Sequence, residues 1–233
     1  MRNVLIFPGT VAGAVLLTTS MASGQASDPI VYDNMPSGYN PDGITSSQLD
    51  TAYPFNSQVA DDFVLSGDFF ITGMTWVGGF FNGDPIEVPA WNLIMYNDAG
   101  GTPTGGGLAD PSVSAFFIAM PGVVNRVDNG DGTFTWSTDF GSSIALTGGT
   151  TYWVAIQGEH FFPPQYGQAA SLDQVGNFAT SGFPLLGTDY WTGLPYDGVS
   201  DVAFQLHGVV IPTPGALALI GLAGLVSRRR RRR

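Results

Sequence analysis

An alternating pattern runs through Val202-Ala203-Phe204-Gln205-Leu206-His207 near the end of the chain. Side chains in a β-strand point to opposite faces in turn, so Val202, Phe204 and Leu206 share one face of the strand. That apolar set predicts a buried face, and His207 is expected to face outward. The stretch therefore indicates a strand that has one face on a hydrophobic core.

Similar short runs of aromatic and β-branched residues recur between residues 27 and 210, each bounded by Gly, Pro, Asn or Asp. No segment of convincing length follows the helical period. About eight or nine strands with Gly-rich connections predict an all-β fold, a two-sheet β-sandwich of jelly-roll type, with a β-barrel as the alternative. The strands are predicted near Gln58–Leu65, Phe69–Gly78, Trp91–Asn97, Val113–Met120, Val124–Val127, Thr133–Ser137, Thr150–Gln157 and Val202–Val210.

The composition favours the same fold class. The chain has 233 residues, with 32 Gly, 16 Pro and 12% aromatic residues. This is poor material for helices and suits strands joined by tight turns. A chain of this length commonly forms one all-β domain. There is no cysteine, so disulfides and thiol redox chemistry are excluded.

The charged residues are divided unequally along the chain. All eight basic residues are arginines: Arg2, Arg126 and the run Arg228–Arg233. All 19 acidic residues lie between Asp28 and Asp201, so the part between the two ends has one arginine against 19 carboxylates, a formal charge of −18. Such a domain repels nucleic-acid phosphate and attracts cations, calcium included. We therefore expect no nucleic-acid partner.

The N-terminus has the parts of a secretory signal. Arg2 precedes an apolar stretch over residues 4–17, and small residues follow. Gly24-Gln25-Ala26 offers small residues at the two positions that a signal peptidase reads. We predict a signal peptide over residues 1–26 that signal peptidase removes after Ala26, and hence export of the chain.

The C-terminus combines three features in a fixed order. Pro212-Thr213-Pro214 precedes an apolar segment over 215–226, and Ser227 and six arginines follow. Twelve residues make about 18 Å of helix against a hydrocarbon core of about 30 Å, so the predicted transmembrane helix is a marginal span even if residues 209–211 join it. By the positive-inside rule the arginines stay cytoplasmic and the acidic domain lies outside. An ordinary tail anchor is one interpretation of this pattern.

The order of the three parts resembles the PEP-CTERM sorting signal. In that family a Pro-Glu-Pro-type motif precedes a transmembrane helix and a basic cluster, and here Pro212, Thr213 and Pro214 match the motif with Thr in place of Glu, while Arg228, Arg229 and Arg230 begin the cluster. The resemblance implies processing by an exosortase, removal of the tail, and delivery to the cell surface or extracellular matrix.

The central part carries a second, more diffuse resemblance. The runs Gln58–Leu65, Ile71–Trp76 and Leu146–Ile156 are similar to jelly-roll domains found in surface-sorted bacterial proteins. The predicted organisation is a signal peptide over 1–26, an acidic β-sandwich over 27–210 and a sorting tail over 211–233.

One short segment is a candidate metal site. Asp128-Asn129-Gly130-Asp131-Gly132 packs acidic oxygens and glycines into five residues, and calcium accepts six to eight oxygen ligands in loose geometry. Asp128 and Asp131 are the predicted ligands. The segment lacks the full spacing of a calcium loop, and a hairpin turn is the simpler interpretation.

Two acidic dipeptides are also conspicuous. Asp61-Asp62 lies inside a predicted strand, so the two carboxylates point to opposite faces. We expect a pair on the surface of an edge strand, with an ion shared with a neighbouring loop as the alternative. Glu159-His160 also points apart, and no third ligand accompanies it.

Most of the aromatic residues are needed to fill the core of a domain without disulfides. Tyr190 and Trp191 lie in a Gly/Pro-rich loop, where flat rings could contact the apolar faces of a glycan. They are the predicted glycan contact.

The sequence contains no Gly-x-Ser-x-Gly elbow, no glycine loop with lysine and no His-Glu-x-x-His motif. We therefore expect an exported, surface-sorted protein without catalytic activity, with glycan or calcium as candidate ligands. The expected partners are signal peptidase, an exosortase-type enzyme, the membrane before processing and extracellular polysaccharide. A secreted glycoside hydrolase-like enzyme that uses paired carboxylates is the alternative.

Overall fold

The computed structural model describes residues 28–50, 52, 55–104, 116–121, 123–182, 191–194 and 201–212. The predicted signal peptide lies outside these residues. The described residues form strands, turns and loops, with no helix among them. The all-β fold class is therefore confirmed.

Fifteen strands occur within the described ranges. In chain order they are β1 (Ile30–Asp33), β2 (Tyr39–Ser46), β3 (Gln48–Asp50), β4 (Phe55–Asn56), β5 (Gln58–Val64), β6 (Phe69–Phe81), β7 (Ala90–Asn97), β8 (Phe116–Pro121), β9 (Asn125–Asp128), β10 (Thr133–Leu146), β11 (Thr151–Glu159), β12 (Gln165–Ser171), β13 (Thr180–Gly182), β14 (Thr192–Gly193) and β15 (Phe204–Val210).

The strands build two sheets. The first has the order β1-β15-β6-β10-β9, and β12 joins it by pairing with β6 and β2. The second has the order β14-β13-β5-β11-β3-β4, and β7 pairs with β11 and β8. Neighbouring strands are antiparallel except for β3 and β11, which are parallel. The two predicted sheets are thus confirmed.

One hydrophobic core lies between the sheets and contains buried residues from both of them. Its centre is aromatic: the ring of Trp91 on β7 lies 5.0 Å from Trp76 on β6, 5.2 Å from Trp136 on β10 and 4.8 Å from Tyr166 on β12. Aromatic pairs at such spacings add about 0.5 to 1.5 kcal/mol each to the effect of burial. The core therefore joins the sheets without disulfides.

Both ends of the described chain meet at one end of the molecule, which we call the terminal pole. Gly208 N donates to the carbonyl of Pro29 at 3.0 Å, and Ile211 N donates to that of Asp68 at 2.9 Å, where β6 begins. The thirteen residues of β6 span about 40 Å. The other end of β6, where Phe81 pairs with Gln165, defines the distal pole.

The predicted strands all coincide with observed ones, although residues 113–115 lie outside the described residues. Seven further strands were not predicted. The longest of these, β2, contains Pro41-Asp42-Gly43, which is typical of a turn. The pairing of β2 with β12 shifts register between Ala169 and Ala170, so an irregularity accommodates these residues inside the strand.

His207 points away from the core, as expected, but it is buried rather than exposed to solvent. Phe204 and Leu206 point into the core, and His207 lies on the opposite face with 7% of its surface exposed. Its ring lies between the hydroxyl of Thr75 and the carbonyl of Asp28, at 2.9 Å from each. The segment before β1 therefore covers this face of the sheet, which the alternation of the strand could not indicate.

Candidate functional site

The segment that was predicted to bind calcium forms the turn between β9 and β10. Asp128 Oδ1 accepts a hydrogen bond from Gly130 N at 2.8 Å. Asp131 Oδ1 accepts bonds from the hydroxyl and the backbone N of Thr133 at 2.6 and 3.0 Å, and Asp131 Oδ2 accepts one from the hydroxyl of Tyr39 at 2.9 Å. The bonds from Thr133 lower the pKa of Asp131. Both carboxylates therefore stabilise the hairpin turn through hydrogen bonds to neighbouring residues.

No set of three or more His, Cys, Asp or Glu side chains is placed to hold a metal ion within the described ranges. The turn offers two exposed carboxylates, Asp128 and Asp131, and the flexible backbone of Gly130, whose φ is 79°. Calcium at this turn stays a prediction.

The predicted glycan contact is described only in part. Tyr190 lies outside the described residues. Trp191 is half-buried, and its ring lies 5.7 Å from that of Tyr96 at an interplanar angle of 75°. With Ala60 and Trp153 it packs on the outer face of the second sheet. Trp191 thus packs on the sheet, and its contact with a glycan stays a prediction.

The sorting motif is also described only at its start. Pro212 is exposed at the terminal pole, while Thr213, Pro214, Arg228, Arg229 and Arg230 lie outside the described residues. No helix in the described part of the chain has the length and hydropathy to cross a membrane.

A pocket of about 250 Å³ opens between the two sheets. It has walls from the segment before β7 and from β9 and β10, and it is lined by Glu87, Val88, Pro89, Trp91, Val124, Arg126 and Trp136. Trp91 belongs to the second sheet and Trp136 to the first, so the pocket lies over the aromatic centre of the core. The two indoles are 1% and 2% exposed, so they lie beneath the pocket and only a small part of each ring reaches its surface.

An ion pair lies at the edge of this pocket. Arg126 Nη2 lies 2.7 Å from Glu87 Oε1, and Arg126 Nη1 donates to the carbonyl of Ile86 at 2.7 Å. The guanidinium carbon lies 4.6 Å from the ring centre of Phe134. Arg126 is 25% exposed and Glu87 82% exposed, so Arg126 fixes a carboxylate that remains open to solvent.

Arg126 acquires its position from the pairing of β9 with β10, in which it lies opposite Trp136. It is the one basic residue between Arg2 and Arg228. This isolation was visible in the sequence, but its partner Glu87 is 39 positions away and could not be inferred.

Asp61 is buried between the sheets, where a surface position had been expected. Its strand β5 lies between β11 and β13 rather than at an edge, so that expectation was wrong. Asp61 Oδ2 accepts hydrogen bonds from Asn34 Nδ2 and Val202 N, both at 2.8 Å, and Oδ1 accepts one from Asp62 N at 2.9 Å. The carboxyl therefore connects β5 to the ends of β1 and β15 in the opposite sheet.

Asp62 points to the outer face, as alternation requires, yet it is only 2% exposed. Its two oxygens accept bonds from the backbone N and the side-chain amide of Asn177, each at 2.8 Å. Asp201, which is fully buried, accepts a bond of 2.5 Å at Oδ2 from Val175 N. Its Oδ1 is buried and has no hydrogen-bond partner among the described residues.

Burial, and next the charge of Asp201, raise the pKa of Asp61 well above its ordinary value. Burial also raises the pKa of Asp62, and burial with the charge of Asp62 raises the pKa of Asp201 to about 6. Three carboxyl groups thus lie close together in the interior, and the folded domain disfavours their ionisation.

The second dipeptide, Glu159-His160, does not form a pair. His160 is 5% exposed, and burial lowers its pKa. Its Nδ1 lies 3.1 Å from the carbonyl of Phe161, and Gln48 Nε2 donates to the carbonyl of His160 at 3.2 Å. The imidazole belongs to the packing between β11 and β3.

Comparison of the chain with protein-family models, with curated proteins and with solved structures gave no match.

Proposed function

We propose that this chain is an exported, surface-sorted protein without catalytic activity whose β-domain binds a neutral glycan in the pocket at Glu87 and Arg126. The signal peptide over 1–26, exosortase processing near Pro212-Thr213-Pro214 and delivery to the cell surface or matrix are parts of this proposal. The features of the two chain ends support them.

The pocket is the observation that carries the glycan proposal. Small-molecule sites are concave and largely apolar, with a few placed polar groups. Here the partly exposed side chains of Val88, Pro89 and Val124 supply apolar walls. The Glu87 carboxylate, held by Arg126, supplies oxygens that can accept bonds from sugar hydroxyls.

The charge of the domain favours an uncharged glycan over an acidic one. The part of the chain between its two ends has a formal charge of −18, and its one arginine already pairs with Glu87. A polysaccharide of uronic acids would approach against this field. A pocket of about 250 Å³ suits a single sugar unit or a chain end rather than a long segment.

The C-terminal end of the domain and the pocket lie at opposite poles, and this arrangement supports display at a surface. The tail leaves the domain at the terminal pole, where Ile211 contacts Asp68. β7 begins opposite Glu159, and the adjacent His160 packs on Phe80 near the distal pole. Glu87 and Trp91 flank the start of β7. A domain anchored by its tail would therefore turn the pocket away from the membrane.

We also propose that the two sheets form a jelly roll. Consecutive strands lie in different sheets at β2 to β3, β5 to β6, β6 to β7, β8 to β9, β10 to β11, β11 to β12, β12 to β13 and β14 to β15. Repeated crossing between two antiparallel sheets is typical of this architecture.

Glycan binding is tested with the full-length protein on an array of neutral and acidic polysaccharides. Binding to a neutral glycan is expected, and Glu87→Gln should weaken it at least about tenfold, since charge-assisted bonds to hydroxyls are lost. Glu159→Gln, the same change outside the pocket, is the matched control. The proposal fails if no glycan binds, or if both variants bind as the unchanged protein does.

Sorting is tested by the intact mass of the protein from its native host, with cells and medium separated. Loss of residues 1–26 and of the tail near Pro212 is expected. An intact tail in the membrane fraction would show a plain anchor instead.

A glycan-acting enzyme stays a prediction without structural support in the described residues. The adjacent carboxylates Asp61 and Asp62 are 0% and 2% exposed, so a polysaccharide cannot reach them. Glu87 pairs with Arg126, not with a second carboxylate.

A further inference from the structure

The loop over residues 172–178 crosses from β12 in the first sheet to β13 in the second. Its side chains are largely exposed, Leu172 by 61% and Phe178 by 59%. Its backbone, in contrast, is bound to the buried carboxylates below: Val175 N to Asp201, and Asn177 N to Asp62.

The loop lies very close to these carboxylates. At Gly176, where φ is +93°, an added Cβ would lie 2.6 Å from Asp62 Oδ1. Asp173 anchors the start of the loop, since its two oxygens accept bonds from the backbone N and hydroxyl of Ser37 at 2.7 and 2.8 Å. The loop therefore closes over Asp62 and Asp201 and separates them from water.

No cation balances these carboxylates within the described part of the chain. Its one arginine, Arg126, pairs with Glu87, and its two histidines lie against other groups. Among the residues that the structure describes, the titratable groups that interact with these carboxylates are all acidic or phenolic. They are Asp61 and Asp62 from β5, Tyr32 and Asp33 from β1, and Asp98 after β7.

We propose that the 172–178 loop is a pH-dependent cover that stays closed in mild acid and opens as the Asp201 carboxyl ionises. Asp201 is the group through which it acts, because its Oδ2 binds the loop while its buried Oδ1 has no described partner. A proton on Oδ1 removes the charge and leaves the bond from Val175 N intact. Loss of that proton leaves a buried charge beside Asp61 and Asp62.

The direction follows from linkage. Burial, with the charge of Asp62, raises the pKa of Asp201 to about 6 in the closed form, and opening to water returns it toward its ordinary value of 3.8. The closed form therefore binds the proton more tightly, and closure is lost as the pH rises through about 6. Between about pH 5 and pH 8 the equilibrium constant for opening should rise about tenfold.

Hydrogen exchange at the amides of Val175 and Asn177 in the full-length protein tests the proposal, after correction for intrinsic exchange rates. We expect about tenfold less protection at about pH 8 than at pH 5. Asp201→Asn keeps an oxygen for Val175 N but cannot ionise, so most of the pH dependence should disappear. Asp173→Asn, the same change within the loop, should alter protection equally at every pH and keep the dependence.

Protection in the unchanged protein that does not fall between pH 5 and pH 8 would overturn the proposal. So would the same fall in Asp201→Asn. If that variant does not fold, the carboxyl carbon of Asp201 in the unchanged protein is followed by NMR. Titration near the ordinary value of 3.8 would then refute the proposal, and titration near 6 that coincides with the loss of protection would support it.

Discussion

Replacement of Asp61 by asparagine tests whether the interior holds this carboxyl with its proton. Asparagine has the same shape and keeps an oxygen for Asn34 Nδ2 and Val202 N. Its amide would, however, face the N–H of Asp62, which now donates to Oδ1. Loss of that bond costs about 1 kcal/mol. In strong acid the variant should therefore be slightly less stable than the unchanged protein.

The order of stability of the two proteins reverses as the pH rises. Because the pKa of Asp61 is raised by burial and by Asp201, the folded protein keeps a proton that the unfolded chain releases above its ordinary pKa of 3.8. The stability due to Asp61 is complete below that pH and is lost toward the folded pKa, by about 1.4 kcal/mol per pH unit. Asparagine does not ionise, so the variant does not lose this stability as the pH rises. The two stability curves should cross between about pH 4 and 5, and above the crossing the lead of the variant should grow until the pH reaches the raised pKa of Asp61.

Urea unfolding of the full-length proteins between pH 4 and pH 8 measures the difference, with fluorescence of the five tryptophans as the signal. Asp131→Asn is the control, since Asp131 is exposed and its pKa is lowered. The free energy of unfolding of Asp131→Asn should therefore differ from that of the unchanged protein by a constant amount between pH 4 and pH 8. A constant difference between Asp61→Asn and the unchanged protein would refute the assignment of a buried proton to Asp61.

Two further substitution experiments test the packing and the calcium prediction. In Gly78→Ala the new Cβ would lie 2.4 Å from the carbonyl oxygen of Gly167, so thermal unfolding should show a loss of about 3 kcal/mol; Gly193→Ala, with no atom within 4 Å, should be nearly neutral. Calcium bound at Asp128 and Asp131 should raise the melting temperature, and the rise should vanish when both are changed to asparagine. An equal rise in both proteins would assign the ion to another site.

The sequence predicted the long apolar strands well because their burial depends on local alternation. It failed for β12 (Gln165–Ser171), whose small and amide side chains have no strand signature of their own. That strand forms because Tyr166 fits the aromatic centre of the core and Gly167 allows close approach to β2. These are tertiary contacts, which the local sequence pattern of the strand does not indicate.

The buried carboxylates show the same limit. Alternation correctly placed Asp61 and Asp62 on opposite faces, but the position of β5 within its sheet is set by pairing with distant strands. Asp201, 139 residues after Asp62, had no signal at all. The pocket likewise depends on Arg126 and Glu87, whose meeting requires both sheets to be assembled.

The shared position of the chain ends has a mechanical consequence. If the domain is held by its tail and pulled by a ligand in the pocket, the load passes along β15 toward Ile211. β15 pairs with β6 at seven positions, from Phe204 with Trp76 to Val210 with Phe69. A pull along the strand loads these pairs together in shear, so they must break nearly at once rather than one after another. In a domain anchored in this way, β15 would therefore resist a pull directed from the distal pole.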